Sequence, residues 1–187
     1  MNKIKYLLCL ALTLFIIDAV MAQRPSLKNH NFYIVRHAEK DTGSNPAISK
    51  KGMIRAGDLY RELKDKKIDV IFISQYRRTG MTADSLRIYK NIDTVYYTAD
   101  TTGESLFKKI NSFGKAKNIL IIGHSNTLPA IIRKAGVKNF MLKQIPDDEY
   151  DNLFIVKQKN GRAVLKSKKF GAASLPHGKT APMNISQ

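Results

Sequence analysis

The hydrophobic positions form short continuous runs that alternate with stretches of helical periodicity. Runs rich in β-branched and aromatic residues predict strands covered on both faces. Two later runs, Asn152–Lys157 and Ala163–Lys168, flank the turn sequence Lys159-Asn160-Gly161 and predict a hairpin. The four earlier runs are Phe32–Val35, Ile68–Ile73, Ile92–Tyr97 and Asn118–Ile122.

The stretches between the strands predict four amphipathic helices. Ser49 is the expected N-cap of the first helix, with Ile48 and Met53 placed to form a hydrophobic staple. Pro129 is compatible with the last helix because it falls in the first turn. The predicted apolar faces are Met53, Ala56, Leu59, Tyr60 and Leu63; Thr82, Leu86 and Tyr89; Leu106, Phe107, Ile110 and Phe113; and Leu128, Ile131, Ile132 and Ala135.

Alternating strands and helices followed by a hairpin predict an α/β fold. We expect a three-layer α/β/α sandwich on a mostly parallel central sheet. One domain is expected over residues 23–173, and the polar residues 174–187, which contain Pro and Gly, predict a flexible C-terminal tail.

The first residues have the pattern of a secretory signal peptide over 1–22. A basic start, Met1–Lys5, precedes the apolar run Tyr6–Ile17, and Val20-Met21-Ala22 supplies small residues before Gln23. The run is short for a membrane span, so we expect export to the periplasm or beyond with cleavage, and the alternative is a retained anchor.

Composition limits the chemistry of the mature chain. The only cysteine, Cys9, lies in the predicted signal peptide, so no disulfide, thiolate nucleophile or cysteine metal site is expected. The formal net charge is +17 for the full sequence and +16 without residues 1–22, which favours anionic partners or a solvated basic surface.

Charged and imidazole groups follow three of the predicted strands. The first strand runs into Arg36-His37, the second into Ser74–Thr79 with Arg77 and Arg78, and the fourth into Gly123-His124. Parallel strands end at one edge of a sheet, where open α/β folds bind ligands. Guanidiniums, imidazoles and helix N-termini gathered there suit a phosphoryl group, which a neutral imidazole can attack.

These segments resemble the histidine phosphatase superfamily, which includes the phosphoglycerate mutases. The Arg-His-Gly-Glu motif of that family reads Arg36-His37-Ala38-Glu39, and its Ser-x-x-x-Arg motif reads Ser74 to Thr82 with Arg78 at the arginine position. Gly123-His124 matches the third motif, and the resemblance runs from about Phe32 to Phe170.

The resemblance implies a phosphoglycerate mutase-like fold and a role for each matched residue. His37 would be the nucleophile that becomes phosphohistidine. Arg36, Arg78 and His124 would bind and polarise the phosphoryl group, and Glu39 would support the first motif. No metal and no other cofactor is expected, because the arginines occupy the position that a metal ion would take.

The sequence offers two candidates for the general acid and does not decide between them. The family usually places a carboxylate after the third strand, and the stretch Tyr97–Glu104 offers Asp100 and Glu104. Glu104 is also explained as first-turn charge at a helix N-terminus. The insertion with which mutases enclose a sugar phosphate is absent, and the compact size is similar to that of small phosphohistidine phosphatases, which act inside cells.

The sequence therefore predicts an exported, metal-independent phosphomonoesterase. Its expected partner is a small phosphorylated substrate, with weak contact to anionic surfaces and no specific nucleic acid. The alternative is a phosphate- or polyanion-binding protein that uses the same pocket without turnover. The missing insertion counts against the mutase alternative. The sequence does not indicate which phosphate ester is the substrate or what the oligomeric state is.

Overall fold

The structure, a computed structural model, describes residues 29–114, 116–159 and 161–174. The predicted signal peptide and the predicted tail beyond Ser174 lie outside these residues. In the described part of the chain, no helix has the length and hydrophobicity needed to cross a membrane. The elements are β1 Asn31–Arg36, α1 Lys50–Leu63, β2 Val70–Ser74, α2 Arg77–Lys90, β3 Thr94–Tyr97, α3 Glu104–Phe113, β4 Asn118–Gly123, α4 Leu128–Lys134, β5 Asn152–Lys159 and β6 Arg162–Lys169.

The strands form one mixed sheet in the order β3-β2-β4-β1-β5-β6. Strands β1 to β4 pair in parallel, whereas β5 runs antiparallel to β1 and β6 antiparallel to β5. Parallel pairing aligns the ends of β1 and β4 so that Arg36 lies opposite Gly123. The predicted hairpin is confirmed, with Lys159 opposite Arg162.

The two faces of the sheet bury separate hydrophobic clusters. Successive strand side chains point to opposite faces, so Phe32 and Ile34 pack with α3 and α4, whereas Tyr33 and Val35 pack with α1 and α2. Leu120 contributes to the second cluster. This arrangement confirms the predicted three-layer α/β/α sandwich.

The prediction of a buried position is wrong for three residues of the helix faces. Met53 is 55% exposed, Tyr89 is 75% exposed and Phe113 is 43% exposed. Tyr89 and Phe113 lie in the last turns of their helices, and their rings lie beside those of Tyr60 and Phe72.

The start of α1 is pressed against the chain that follows β1. Ser49 is the N-cap as predicted, and its hydroxyl accepts a hydrogen bond from the Gly52 amide at 3.2 Å. Ile48 packs with Ala38 rather than forming the expected staple with exposed Met53. A Cβ on Gly52 would overlap the Glu39 carbonyl oxygen, so this contact requires glycine.

Replacing Gly52 with alanine should therefore destabilise the protein. We expect the free energy of unfolding to fall by roughly 1–3 kcal/mol, as for other overpacked contacts. Gly57→Ala in the same helix is the control, because a Cβ there would meet only the Arg61 guanidinium, at 3.5 Å or more. That control should gain about 0.5–1 kcal/mol from helix propensity. Urea denaturation measures both, and equal effects of the two substitutions would contradict the close contact.

Candidate active site

A polar cleft of about 490 Å³ opens at the carboxyl edge of the parallel strands. Four residues predicted from the strand ends, Arg36, His37, Arg78 and His124, line it together. The structure thus brings the three motifs to one place. Other lining residues are Lys40, Tyr76, Ala99, Asp100, Thr101, Ser125, Asn126, Thr127, Asp147 and Tyr150.

Hydrogen bonds of the backbone amides of His37 and Ala38 connect the three motifs to one another. The His37 amide donates to the Gly123 carbonyl at 2.9 Å, which joins the first motif to the third. The Ala38 amide donates to the Thr82 hydroxyl at 2.9 Å, and this hydroxyl donates to the Arg78 carbonyl at 2.7 Å. The positions of the motifs are therefore set by the sheet and by α2, not by side-chain contacts alone.

His37 is held as a neutral imidazole with one free nitrogen. Its side chain is buried, and Nδ1 lies 2.8 Å from the Ala38 carbonyl oxygen. A carbonyl only accepts, so Nδ1 carries the proton and Nε2 keeps its lone pair. Burial, opposed by the bond to Ala38 and reinforced by His124, Arg36 and Arg78, lowers the pKa of His37 to about 3.

His124 orients the second motif. Its Nε2 lies 2.9 Å from the Ser74 hydroxyl, and its Nδ1 lies 3.3 Å from Nη2 of Arg78. Arginine only donates, so Nδ1 accepts and Nε2 carries the proton. Burial, followed by Arg78 and Arg36, lowers the pKa of His124 to about 4. Both ring nitrogens thus have protein partners, and direct contact of His124 with a phosphoryl group stays a prediction.

Arg36 is anchored by the loop before β5. Its Nη1 donates to the carbonyls of Pro146, Asp147 and Glu149 at 3.0, 2.8 and 3.3 Å, and its guanidinium lies 4.1 Å from the centre of the Tyr150 ring. These contacts fix a buried cation at the base of the cleft.

The two guanidiniums keep unused donors. Nε of Arg36 and Nε of Arg78 are buried and have no hydrogen-bond partner among the described residues. Arg78 also stacks on Tyr76, with its guanidinium carbon 4.4 Å from the ring centre. A buried unpaired donor is costly, and each of these two arginines leaves one hydrogen-bond donor beside the cleft that the described residues do not satisfy.

Glu39 does not line the cleft, and its carboxylate connects separate segments of the chain. Its carboxylate accepts two hydrogen bonds from Arg55, at 2.8 and 2.7 Å, and lies 3.5 Å from Nζ of Lys51. Arg55 also donates to the carbonyls of Phe170 and Ala172. The pair therefore connects the first motif to α1 and to the end of the described chain, and the supporting role of Glu39 stays a prediction.

The two candidate general acids lie in different places, and only Asp100 lines the cleft. The Asp100 carboxylate lines the cleft, but it accepts hydrogen bonds from the amides of Thr102, Gly103, Glu104 and Ser105 at the start of α3. Partial burial raises its pKa, yet these bonds and that from the Thr102 hydroxyl outweigh it and hold the pKa below its ordinary value.

Glu104 lies outside the residues that line the cleft. Its side chain is 76% exposed, and it pairs with Lys134 at 3.7 Å. The explanation as first-turn charge on α3 fits this position. The assignment of a general acid to Asp100 or Glu104 therefore stays a prediction.

The sequence reasoning missed three residues of this site. Arg55 looked like an ordinary helix residue, although a buried Glu39 needs a cationic partner. Tyr76 sits inside the second motif, where its ring supports Arg78. Tyr150 had no sequence signal, because the loop that carries it only approaches Arg36 in the folded chain.

Comparison with known proteins agrees with the motifs. Residues 32–99 match the family model "Histidine phosphatase superfamily (branch 1)". This match includes the first two motifs and confirms the predicted resemblance to that superfamily. No match to a curated protein was found.

The described residues contain no cluster of three or more His, Cys, Asp or Glu side chains that could hold a metal ion.

Solved structures share the fold at low sequence identity. A protein from Agrobacterium tumefaciens described as the phosphohistidine phosphatase SixA aligns with a TM-score of 0.57 and 18% identity, over 77% of this chain and 99% of that one. Phosphoglycerate mutase from Plasmodium falciparum gives 0.52 and 18%, over 82% and 98%. Phosphoserine phosphatase from Entamoeba histolytica, solved with 3-phosphoglyceric acid, gives 0.55 and 14%, over 77% and 98%. The fold is therefore phosphoglycerate mutase-like.

The lowered histidine pKa values predict that acid destabilises the protein. Between pH 6.5 and about 4, both imidazoles take up protons in the unfolded chain but stay neutral in the folded one, so the free energy of unfolding falls with falling pH. Urea denaturation at several pH values in this window measures the slope. His37→Gln should flatten it, whereas His30→Gln, outside the cleft, serves as the control. An unchanged slope in His37→Gln would show that His37 is not held neutral.

Proposed function

We propose that this protein is a phosphomonoesterase of the histidine phosphatase type, which forms a covalent phosphohistidine at His37. The observation that carries the proposal is a buried neutral imidazole, with a free Nε2, in one cleft with Arg36 and Arg78. A neutral imidazole is a nucleophile, and fixed guanidiniums stabilise the charge that develops on phosphoryl oxygens.

The reaction has two displacements at phosphorus. Nε2 of His37 attacks the phosphorus atom, the bond from phosphorus to the ester oxygen breaks, and the leaving oxygen takes a proton from water or from an acid. A water molecule then attacks the phosphohistidine, the N–P bond breaks, and inorganic phosphate leaves. The guanidiniums of Arg36 and Arg78 line the cleft and would contact oxygens of the transferred group in both steps.

The substrate class follows from the size and charge of the cleft. A polar cleft of about 490 Å³ that contains two arginines suits a small phosphorylated molecule. The Entamoeba histolytica relative is described in complex with one such molecule, 3-phosphoglyceric acid. We further propose export, which rests only on the basic, apolar and small-residue pattern of residues 1–22.

Hydrolysis of p-nitrophenyl phosphate tests the proposal directly. Residues 23–187, which keep every described helix and strand, are assayed from acidic to neutral pH with excess chelator. Turnover should persist with chelator and fall at least about 10³-fold in His37→Ala. His30→Ala is the matched control, because His30 lies outside the cleft and should retain activity. Retained turnover in His37→Ala would exclude the covalent mechanism.

A binding protein without turnover is the second candidate. The observation that favours it is the Asp100 carboxylate, which is occupied by the start of α3 and is ionised at neutral pH. A folded protein that binds vanadate but hydrolyses no tested ester would support this candidate over the enzyme.

Asp100→Asn distinguishes a helix cap from a general acid. We expect the variant to lose about 1 kcal/mol of stability, as for other lost caps, and to keep the same ratio of kcat/KM for aryl over alkyl phosphates. A general acid matters most for poor leaving groups, so its loss would raise that ratio. Glu104→Gln is the control, because its exposed side chain lies outside the cleft. A raised ratio in Asp100→Asn alone would make Asp100 the acid.

A further inference from the structure

The end of the sheet opposite the cleft carries its own group of cations. Lys64, Lys66 and Lys67 follow α1, Lys90 ends α2, and Lys117 precedes β4. All five are exposed. None of them forms a salt bridge within the described ranges of the chain. The ends of helices and the starts of parallel strands meet here, so these charges share one end of the molecule.

The tip of the β5–β6 hairpin adds three more cations at the same end. Lys157, Lys159 and Arg162 are exposed. Lys159 lies opposite Arg162, and Lys157 lies opposite Val164, so the four side chains share one face. Like charges that face each other across a ladder are unfavourable, and Val164 is 67% exposed between them. A cationic face with an exposed apolar centre has no evident role in folding.

The start of β1 joins the two groups of cations. Asn31 lies opposite Asn118 on one side and opposite Lys157 on the other. Its amide donates to the Lys117 carbonyl at 2.7 Å. The polypeptide therefore enters the folded body between the helix-end cations and the hairpin tip. We call this end of the molecule the basic end.

Carboxylates at the basic end do not neutralise it. Asp65, Asp69 and Asp93 are the acidic residues in the same loops, against eight cations. The Asp69 carboxylate already accepts hydrogen bonds from the Lys117 and Asn118 amides, both at 2.7 Å. The basic end therefore keeps an excess of positive charge.

Attraction of substrate into the cleft does not explain these cations. The six residues of β1 separate the two ends by roughly 20 Å, at about 3.3 Å per residue. The Debye length at physiological ionic strength is about 8 Å. Charges at the basic end are thus screened from the cleft, and a partner at the basic end itself is the simpler explanation.

The sequence before β1 identifies the kind of partner. The apolar run Tyr6–Ile17 is followed by a connecting stretch, residues 18–30, that spans at most about 45 Å when fully extended. While that run is in a lipid bilayer, the connecting stretch attaches the folded body at its basic end. The basic end is therefore the part of the body held next to the membrane surface. We propose that the basic end docks on an anionic lipid membrane and that the cleft then faces away from it.

Vesicle co-sedimentation tests the proposal without relying on catalysis. Residues 23–187, checked for folding by circular dichroism, are mixed with phosphatidylcholine vesicles that contain or lack phosphatidylglycerol. Binding should require the anionic lipid and weaken with salt. Each surface cation contributes roughly fivefold in binding, so replacing Lys157, Lys159 and Arg162 together with glutamine should weaken it on the order of 100-fold.

The matched control removes the same charge at the cleft end. Lys50, Arg77 and Lys143 are exposed, and replacing them with glutamine should leave vesicle binding within a few-fold of the original. Equal losses in the two triple variants, or equal binding to neutral vesicles, would overturn the proposal. Tighter binding of the original protein to duplex DNA than to anionic vesicles at the same salt would replace the membrane with nucleic acid.

Discussion

The parallel pairing of β1 with β4 is the constraint on which the rest of the structure depends. It places Arg36 opposite Gly123, and the His37 amide then donates to the Gly123 carbonyl. Residues far apart in the chain thereby bring two imidazoles together, with ring centres 5.2 Å apart. A shift of one residue in this register would turn the side chains that follow β1 to the opposite face of the sheet and separate the motifs.

Burial of cations is the electrostatic consequence of this geometry. Arg36 and Arg78 are held beside the imidazoles by carbonyl groups and aromatic rings. Low solvent exposure, reinforced by the two guanidiniums, lowers the pKa of both histidines and keeps them neutral. The same arrangement favours an anion and leaves Nε2 of His37 unprotonated. Binding of phosphate and nucleophilic reactivity therefore have one physical origin.

The sequence was sufficient for the sheet and for the residues that follow its strands. Buried strands have strong apolar runs, and Arg36, His37, Arg78 and His124 line one cleft as expected. Helix faces were predicted less well. Periodicity placed Met53 on the buried face of α1, but its side chain is exposed. The residue of this turn that packs closely against the chain after β1 is Gly52. The support from Tyr150 and Arg55 could not be predicted, since these contacts join distant parts of the chain. The hydrogen bonds from the amides at the start of α3 to the Asp100 carboxylate depend on local geometry that spacing does not reveal.

Direct detection of the phosphoenzyme tests the central claim most closely. The folded protein is mixed with a radiolabelled phosphomonoester, quenched in base, digested and mapped. The account predicts a label that is stable to base and labile to acid, on the peptide that contains His37, and absent from His37→Ala. A label on a hydroxyl residue, or turnover without any labelled protein, would contradict the proposal that the neutral imidazole of His37 is the nucleophile.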